Sequence, residues 1–506
     1  MPKGGTTHQN PAQESRRLFA FPVGAFAALL LFLVLSSVVL GVILFATNLI
    51  SARGLVTFLS ADIAAIVAAS FLLGWAQGYR FDLFEPCVVV NLMFLLYYCV
   101  RPLYLMSSFG LNDPSPFVSM NPATAIDYAW ATGYSVVALL CFHVGYYAMR
   151  GRPHSLMQLR PSVRRWSSNR VTRVAIVGGL WGGASAALTL FFAGGIAGAF
   201  AKAGHLREVT SGDAYLLLGA TFIPIVTVLL LADHLLGHPR RFWITFFFVL
   251  TVGYSAFFGN RTGVFAIVVS CLILYVYLRG IKMPWRFALF SAVIALVVVP
   301  VIVFLGFARD YPVGLSDLPE IANVMRDRDR GFFYQQMLGE FSAVDAFAAV
   351  LHGGPSIFPF RYGGTYLDSL LFIVPRAVWP DKPKDFSIAV GDYVTENGND
   401  VPPGVVGELY VNFHVFGIVI GMSLLGMVMG FIYCRTTGGS VGALALYALF
   451  VPYFGVFLTR NSMGGGVLLL TAVLPMFLAI WYIDGGNHRS RKAICARQNH
   501  DLNYGR

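Results

Sequence analysis

Charged residues are scarce in this 506-residue chain. Asp, Glu, Lys and Arg make up 12% of it, whereas hydrophobic residues make up 57% and the mean hydropathy is +0.68. A soluble domain usually has about 25% charged residues, so the composition excludes an ordinary soluble protein and indicates an all-α, multi-pass membrane protein. At about 20 residues per span, the chain has room for roughly a dozen membrane helices.

Several chemical signatures are also missing. The six cysteines show no CxxC spacing and the ten histidines show no metal-ligand spacing, which argues against a disulfide framework and a zinc site. The sequence has no Walker A loop, no GxSxG motif and no HExxH motif. We therefore expect neither an ATP-driven pump nor a metalloprotease, and we expect no metal and no cofactor. The net charge of +11 comes without a basic binding module, so we expect no nucleic acid partner.

Apolar stretches predict twelve membrane spans. They lie at about 25–47, 54–75, 86–106, 124–148, 174–199, 214–236, 242–258, 263–279, 286–308, 409–433, 440–459 and 463–483. Lysine and arginine are enriched in the short loops that follow even-numbered spans. Because such loops are usually cytoplasmic, the sequence predicts that both termini are cytoplasmic.

One connection is much longer than the others. Residues 309–408 separate spans nine and ten, hold 14 of the 25 acidic residues and are predicted to be external. A loop of this length in a compact protein is usually functional. Two segments of it, EFSAVDAFAAVLHGG (Glu340–Gly354) and TYLDSLLFIVP (Thr365–Pro375), predict short helices. The chain thus divides into a helical part at 1–308, the loop at 309–408, a second helical part at 409–484 and a basic tail at 485–506.

Arginines gather at the outer ends of the spans and in the long loop. Those at or just beyond span ends are Arg101, Arg261 (in GNRTG), Arg309 and Arg460. In the loop, Arg361 lies in FRYGG and Arg376 in VPRAVWPDKPKDF, where aromatic, glycine and proline neighbours restrict the side chain. The planar guanidinium suits phosphate oxygens, so these residues predict an anion site. For any one of the four span-end arginines, extension toward lipid headgroups is an equally good explanation. Arg261 is the best exception, because GNRTG is a tight turn that needs no headgroup anchor.

A general base is harder to assign from the sequence. Glu408 lies in GELYVNFHVFG, where the loop re-enters the membrane, and a partly desolvated carboxylate there would suit proton transfer. Pairing of Glu408 with one of the arginines is the competing interpretation. The other candidates on the same side are Glu340, Asp345, His352, Asp368 and His414, of which Glu340 and Asp345 also fit the polar face of their helix.

The layout of the chain and four short motifs resemble one protein family. GNRTG, RYGGTY, PRAVWPDKP and GELYVNF together are similar to the O-antigen polymerase (Wzy) family, the oligosaccharide repeat unit polymerases, over roughly residues 250–420. The resemblance implies a GT-C-like, metal-independent glycosyltransferase of the bacterial inner membrane. It would polymerise undecaprenyl-pyrophosphate-linked repeat units into a surface polysaccharide at the periplasmic face. Membrane lipid is an implied partner, and the resemblance leaves room for a chain-length regulator.

The resemblance also implies roles for individual residues. Arg261 and Arg376 would hold the departing pyrophosphate, and Glu408 or a histidine would take the proton of the acceptor hydroxyl. The implied substrate-binding residues are Arg309, Arg361, Tyr362, Tyr366, Trp379, Lys382 and Arg460. Trp379 fits an interfacial anchor as well as a sugar contact.

Other functions fit the same sequence. An O-antigen ligase would move the same polymer onto a lipid A core and would differ in its acceptor. A lipid-linked oligosaccharide transporter would show inverted repeats and charged or broken helices near the middle of the bilayer, whereas here the charge gathers at span ends. A non-catalytic assembly subunit is a third class.

Overall fold

The computed structural model describes most of the predicted helical regions. The described residues are 23–76, 82–107, 120, 123–150, 166–192, 194–195, 219–257, 261–280, 341–371, 379, 385–395, 401–437, 439–460 and 463–484. Regular secondary structure in these ranges is helical, and they contain no strand. Predicted span nine (286–308), the first part of the long loop and the basic tail lie outside the described residues.

The helices match the predicted spans closely. Every predicted span except 286–308 coincides with a helix, and α9 and α10 confirm the two helices predicted in the long loop. The helices are α1 (Val23–Ala46), α2 (Ala52–Ala76), α3 (Pro86–Met106), α4 (Ala125–Arg150), α5 (Ser168–Phe192), α6 (Phe222–Leu235), α7 (Arg241–Phe257), α8 (Arg261–Arg279), α9 (Ala343–Ile357), α10 (Gly364–Leu370), α11 (Phe386–Val394), α12 (Gly404–Thr437), α13 (Val441–Arg460) and α14 (Met463–Asp484).

Six of these helices, namely α2, α3, α4, α5, α12 and α13, are long and apolar enough to cross a membrane. Shorter apolar helical segments, of 10–17 described residues, occur in α1, α6, α7, α8 and α14. The structure is therefore that of an α-helical membrane protein. The total of about twelve spans and the GT-C-like arrangement stay predictions.

The perimeter of the helix bundle is apolar. Phe32, Leu33 and Val39 on α1 are exposed, and so are Leu180 and Phe191 on α5. Lipid tails are as apolar as these side chains, so such a surface is stable in a bilayer although it would be costly in water. The perimeter thus supports the membrane environment that the composition predicts.

Helices α4 and α12 pack with their backbones in contact. A side chain added at Gly145 of α4 would overlap the carbonyl oxygen of Ser423, and one added at Gly426 of α12 would overlap that of Phe142. Gly426 and Gly430 also have the GxxxG spacing that lets membrane helices approach closely. Glycine at these positions therefore sets the distance between α4 and α12.

Buried polar contacts group the helix ends into two faces. Asp82, just before α3, accepts hydrogen bonds from Tyr277 near the end of α8 (2.5 Å) and from Tyr433 near the end of α12 (3.0 Å). Glu85 lies 3.0 Å from Arg150 at the end of α4. We call this end of the bundle the Asp82 face, and the opposite end, which carries α9, α10 and α11, the loop face.

The direction of two further helices follows from these contacts. Helix α8 ends at the Asp82 face, so its first residue, Arg261, lies toward the loop face. The hydroxyl of Tyr447, near the start of α13, donates to the carbonyl of Phe84 at the Asp82 face (2.5 Å). The last residue of α13, Arg460, therefore also lies toward the loop face.

The first prediction concerns which face is external. In a chain stripped of its native cysteines, we expect Ser356→Cys, at the exposed end of α9, to react with a membrane-impermeant maleimide in intact spheroplasts. Pro239→Cys, exposed in the turn between α6 and α7, should react only after permeabilisation. The opposite labelling pattern would invert the predicted topology.

The second prediction concerns the glycine contact. Gly426→Ala should destabilise the protein by about 1–3 kcal/mol, since α4 and α12 must move apart to accept the methyl group. Gly183→Ala on α5 is the matched control, because a Cβ there meets no atom within 4 Å. Thermal unfolding in detergent measures both variants, and equal melting temperatures would contradict the close contact.

Candidate active site

A buried ion pair anchors α9 to the membrane helices. Arg101 of α3 donates from Nε (3.0 Å) and Nη2 (2.8 Å) to Asp345 Oδ2, and the Tyr128 hydroxyl donates to Asp345 Oδ1 (2.8 Å). Arg101 is 1% exposed and Asp345 is fully buried. The expectations that Arg101 belongs to an open anion site or extends to headgroups, and that Asp345 lies on a polar helix face, are therefore wrong.

A second contact fixes the far end of α9. The His352 ring nitrogen Nδ1 lies 2.9 Å from Asp127 Oδ2. The same carboxylate oxygen accepts hydrogen bonds from the backbone N–H and the hydroxyl of Thr124 (2.8 and 2.6 Å), just before α4 begins. His352, a candidate base, is thus occupied in joining α9 to α4.

Helix α12 is broken close to the loop face. Phe413 (φ −142°, ψ 21°) and His414 (φ 56°, ψ −151°) leave the helical conformation, although neither is proline or glycine. A break in a helix removes backbone hydrogen bonds, and in or near a membrane the freed groups need other partners. The long loop supplies them.

The RYGG segment binds the broken end of α12. The backbone N–H groups of Arg361 and Tyr362 donate to the carbonyls of Val411 (3.0 Å) and Asn412 (3.1 Å). The N–H of Gly363 donates to Asn412 Oδ1 (2.9 Å). Gly363 has a φ of 89°, which glycine adopts without steric cost. The motif therefore holds the loop and the re-entering helix in one fixed arrangement.

Glu408 lies one turn before the break and is buried. Its Oε1 accepts a hydrogen bond from the Thr365 hydroxyl (2.7 Å), and the Asn412 side-chain amide donates to Thr365 Oγ1 (2.6 Å) and to the Glu408 carbonyl (2.9 Å). Glu408 is 1% exposed. Thr365 and Asn412 were not predicted as site residues, although an asparagine inside the apolar run of GELYVNFHVFG was a usable signal.

Two strained residues meet at this point. Tyr362 (φ 49°) and His414 (φ 56°) have left-handed backbone conformations without being glycine, which costs about 1–3 kcal/mol each and is concentrated at functional sites. Tyr362 is 79% exposed, and the His414 ring lies 4.8 Å from that of Tyr410 and 5.4 Å from that of Phe360. The strain marks this part of the loop face as a candidate site.

Of the remaining predicted residues, three are described and five lie wholly or partly outside the described residues. Arg361 is partly exposed and pairs with Asp368 (2.9 Å), while Tyr366 packs on Phe413. Burial, with the nearby charge of Glu408, raises the pKa of the Tyr366 hydroxyl. Trp379 is 36% exposed. Outside the described residues lie Arg309, Arg376, Lys382 and the side chains of Arg261 and Arg460.

The backbone near Arg460 lies beside the start of α12. A Cβ on Gly404 would be 3.1 Å from the Leu458 carbonyl oxygen, and Glu408 follows one turn later. The structure thus brings together Glu408, Arg361, Tyr362 and Tyr366, four of the residues that the sequence proposed for the site. The position of Arg376 relative to them stays a prediction.

The polar cluster at the Asp82 face was not predicted from the sequence. Besides Arg150, Glu85 accepts a hydrogen bond from the Tyr146 hydroxyl (2.8 Å). Burial raises the pKa of both Asp82 and Glu85, and hydrogen bonds from tyrosines and the charge of Arg150 offset part of that effect. The two acids of DLFEP in so apolar a chain were the available signal.

Among the described residues, no group of three or more His, Cys, Asp or Glu side chains could hold a metal ion. The polar contacts at the loop face come instead from arginine, asparagine, threonine and backbone groups. Such donors can orient an anion or a sugar hydroxyl, and a nearby carboxylate or imidazole can accept a proton. This arrangement can perform acid–base chemistry at the edge of a membrane.

The third prediction separates a structural ion pair from an exposed one. Asp345→Asn should destabilise the protein by about 3–5 kcal/mol, because it leaves the Arg101 charge buried without a carboxylate. Asp368→Asn should cost only about 0.2–1 kcal/mol, since that pair is partly exposed. Unfolding free energies in mixed micelles compare the two, and similar values would refute the anchoring role of Asp345.

We also compared the chain with known proteins. No protein-family model, no curated protein and no solved structure matches it.

Proposed function

We propose that this protein is a membrane glycosyltransferase that polymerises undecaprenyl-pyrophosphate-linked oligosaccharide repeat units at the external face of a bacterial inner membrane. The observation that carries the proposal is the broken end of α12. There a buried carboxylate, a partly exposed arginine and two strained residues meet. The end of α13, which carries Arg460, lies beside the start of α12, and the start of α8, which carries Arg261, lies toward the same face. A phosphate-bearing lipid presents its headgroup at this depth.

The depth of the helix break supports an enzyme more than a transporter. The part of α12 after the break, from Val415 to Thr437, has about 23 residues and reaches about 35 Å at 1.5 Å per residue. That length alone crosses a hydrocarbon core of about 30 Å. The break therefore falls at the edge of the bilayer, whereas the broken helices of transporters bind their cargo near its middle.

The proposed reaction joins two lipid-linked saccharides. The acceptor hydroxyl attacks the anomeric carbon of the donor, the bond between that carbon and the pyrophosphate oxygen breaks, and the undecaprenyl pyrophosphate leaves. Arg261 and Arg376 would stabilise the charge that develops on the leaving group, with Arg309, Arg361, Arg460 and Lys382 near the headgroup. Tyr362, Tyr366 and Trp379 would contact the sugars.

The proton of the acceptor hydroxyl needs a base at the same place. Glu408 is buried and accepts a hydrogen bond from the Thr365 hydroxyl. This contact suits a role in holding the loop against α12. His414 is exposed and lies on the strained turn two residues after Asn412. Of the two, His414 is better placed to meet a hydroxyl that arrives from solvent.

A ligase that transfers the finished polymer to a lipid A core is the second candidate. Its donor and leaving group are the same, so the geometry described above serves it equally. A deletion strain separates the candidates. A polymerase defect leaves a single capped repeat unit, whereas a ligase or transporter defect removes all capped product.

The fourth prediction concerns Arg261. In the deletion strain, we expect the wild-type gene to restore the polysaccharide ladder and Arg261→Lys to restore little of it, since lysine lacks the paired donors of a guanidinium. Loss of such a contact should lower the rate about a hundredfold or more. The ladder on a gel, normalised to the amount of protein in the membrane, measures the effect.

Arg279→Lys is the matched control for this experiment. Arg279 ends the same helix α8 at the Asp82 face and is exposed, so the variant should support a normal ladder. A normal ladder from Arg261→Lys as well would remove Arg261 from the proposed pyrophosphate site.

A further inference from the structure

Three helices bring polar side chains together inside the bundle, away from the candidate active site. Cys87 of α3 and Tyr147 of α4 are in contact, with Sγ and the hydroxyl oxygen 3.9 Å apart. Helices α3 and α4 run in opposite directions, since Arg101 and Tyr128 meet at the loop face. One turn from that contact toward the loop face are Asn91 on α3 and His143 on α4. These two residues therefore lie at the same level on facing helices.

Helix α2 contributes Ser70 at the same level. The Asn91 amide nitrogen donates to Ser70 Oγ (2.6 Å), and the Ser70 hydroxyl donates to the Val67 carbonyl (2.7 Å). Further along the bundle, Leu59 of α2 is the side chain nearest to Gly133 of α4. Ser70 follows Leu59 by eleven residues, and His143 follows Gly133 by ten. The contact between Leu59 and Gly133 therefore places Ser70 and His143 at the same level, in agreement with the hydrogen bond between Asn91 and Ser70.

Two hydrogen-bond acceptors of this cluster have no partner among the described residues. His143 Nδ1 lies 2.7 Å from the Leu139 carbonyl, so Nδ1 carries a hydrogen and Nε2 of the neutral ring is an acceptor. His143 Nε2 and Asn91 Oδ1 are both buried without a hydrogen-bond partner among the described residues. His143 is 7% exposed and Asn91 is 1% exposed. Two buried acceptors, on facing helices and at the same level of the bundle, thus lack a donor among the described residues.

An unsatisfied buried acceptor costs about 1–3 kcal/mol, and polar groups within a membrane helix are rare and usually functional. One donor group between Nε2 and Oδ1 would satisfy both. A water molecule supplies two hydrogens for this purpose. A proton taken up from water by Nε2 does the same, because the imidazolium can then donate to Oδ1.

We propose that Ser70, Asn91 and His143 form a polar site within the membrane region that holds one hydrogen-bond donor, a water molecule or the proton of His143, between His143 Nε2 and Asn91 Oδ1. The site lies one to two helical turns from Glu85 and Arg150 at the Asp82 face. It is independent of the glycosyltransferase proposal.

The charged and titratable neighbours of the site are few. Among the described residues they are Cys87 on α3 and Tyr146 and Tyr147 on α4, with Glu85 and Arg150 beyond them. At this level α2 contributes Ser70, and α12 packs on α4 through glycine. A change in the ionisation of His143 would therefore occur beside groups that are neutral at neutral pH, with the Glu85–Arg150 ion pair one to two helical turns away.

Solid-state ¹⁵N NMR of histidine-labelled protein in lipid bilayers tests the proposal directly. The His143 signal is identified by its absence in His143→Gln, or by its dipolar contact with the ¹³C-labelled Leu139 carbonyl if that variant does not fold. Between pH 5 and 8, transfer of magnetisation from water protons to an unprotonated Nε2 would show that a water molecule is bound. A protonated Nε2 below a midpoint in this range would show proton uptake. His352, which is exposed, serves as the solvent-accessible reference.

The change in melting temperature of a His143 variant provides an independent test. With a donor in the site, His143→Phe should lower the melting temperature in detergent by several degrees, because the donor and Asn91 lose a partner. With an empty site, removal of the unpartnered acceptor should outweigh the lost hydrogen bond from Nδ1 to the Leu139 carbonyl, so the melting temperature should rise. The proposal is overturned by a raised melting temperature, or by an Nε2 that is unprotonated and receives no magnetisation from water. An Nε2 bonded directly to a reversed Asn91 amide would overturn it too.

Discussion

The contact between α4 and α12 constrains the rest of the structure. Because Gly145 and Gly426 let the two backbones touch, α4 and α12 act as one rigid unit across the membrane. At the loop face this unit carries the break in α12 and two residues of α4, Asp127 and Tyr128, that contact α9. At the Asp82 face it carries Arg150 and Tyr433. A change in the distance between the two helices would therefore reach both ends of the bundle.

Buried charge is arranged to fix position at both ends of this unit. Asp345 is fully buried and accepts two hydrogen bonds from the Arg101 guanidinium and one from the Tyr128 hydroxyl. A buried ion pair adds little net stability relative to apolar packing, but it penalises every arrangement that separates its members. The pair thus selects one docking position for α9, and α9 in turn covers the start of α12.

The sequence predicted the helices well and the site in part, for physical reasons. Membrane spans are long apolar runs, so each is visible in its own segment. The pairing of Arg101 with Asp345 joins residues 244 positions apart, and no local pattern encodes it. Neither residue of the break, Phe413 or His414, is proline or glycine, and the groups that pair with the broken end belong to the RYGG segment, some fifty residues earlier. Helix α11 was missed although Asp385 accepts a hydrogen bond from the Ser387 N–H at its start, a usual sign of a helix start.

The break in α12 also explains why the site can be both rigid and open. A continuous helix of 34 residues would extend about 20 Å beyond the hydrocarbon core and would leave Glu408 and Asn412 on a solvated surface. Because the chain turns at Phe413 and His414, the segment from Gly404 to Asn412 lies under α9 and against the RYGG segment. The backbone strain at Tyr362 and His414 is balanced by the carbonyl contacts that the turn makes possible. The polar groups of the site are thereby held in place by backbone hydrogen bonds, while Tyr362 and His414 themselves stay exposed.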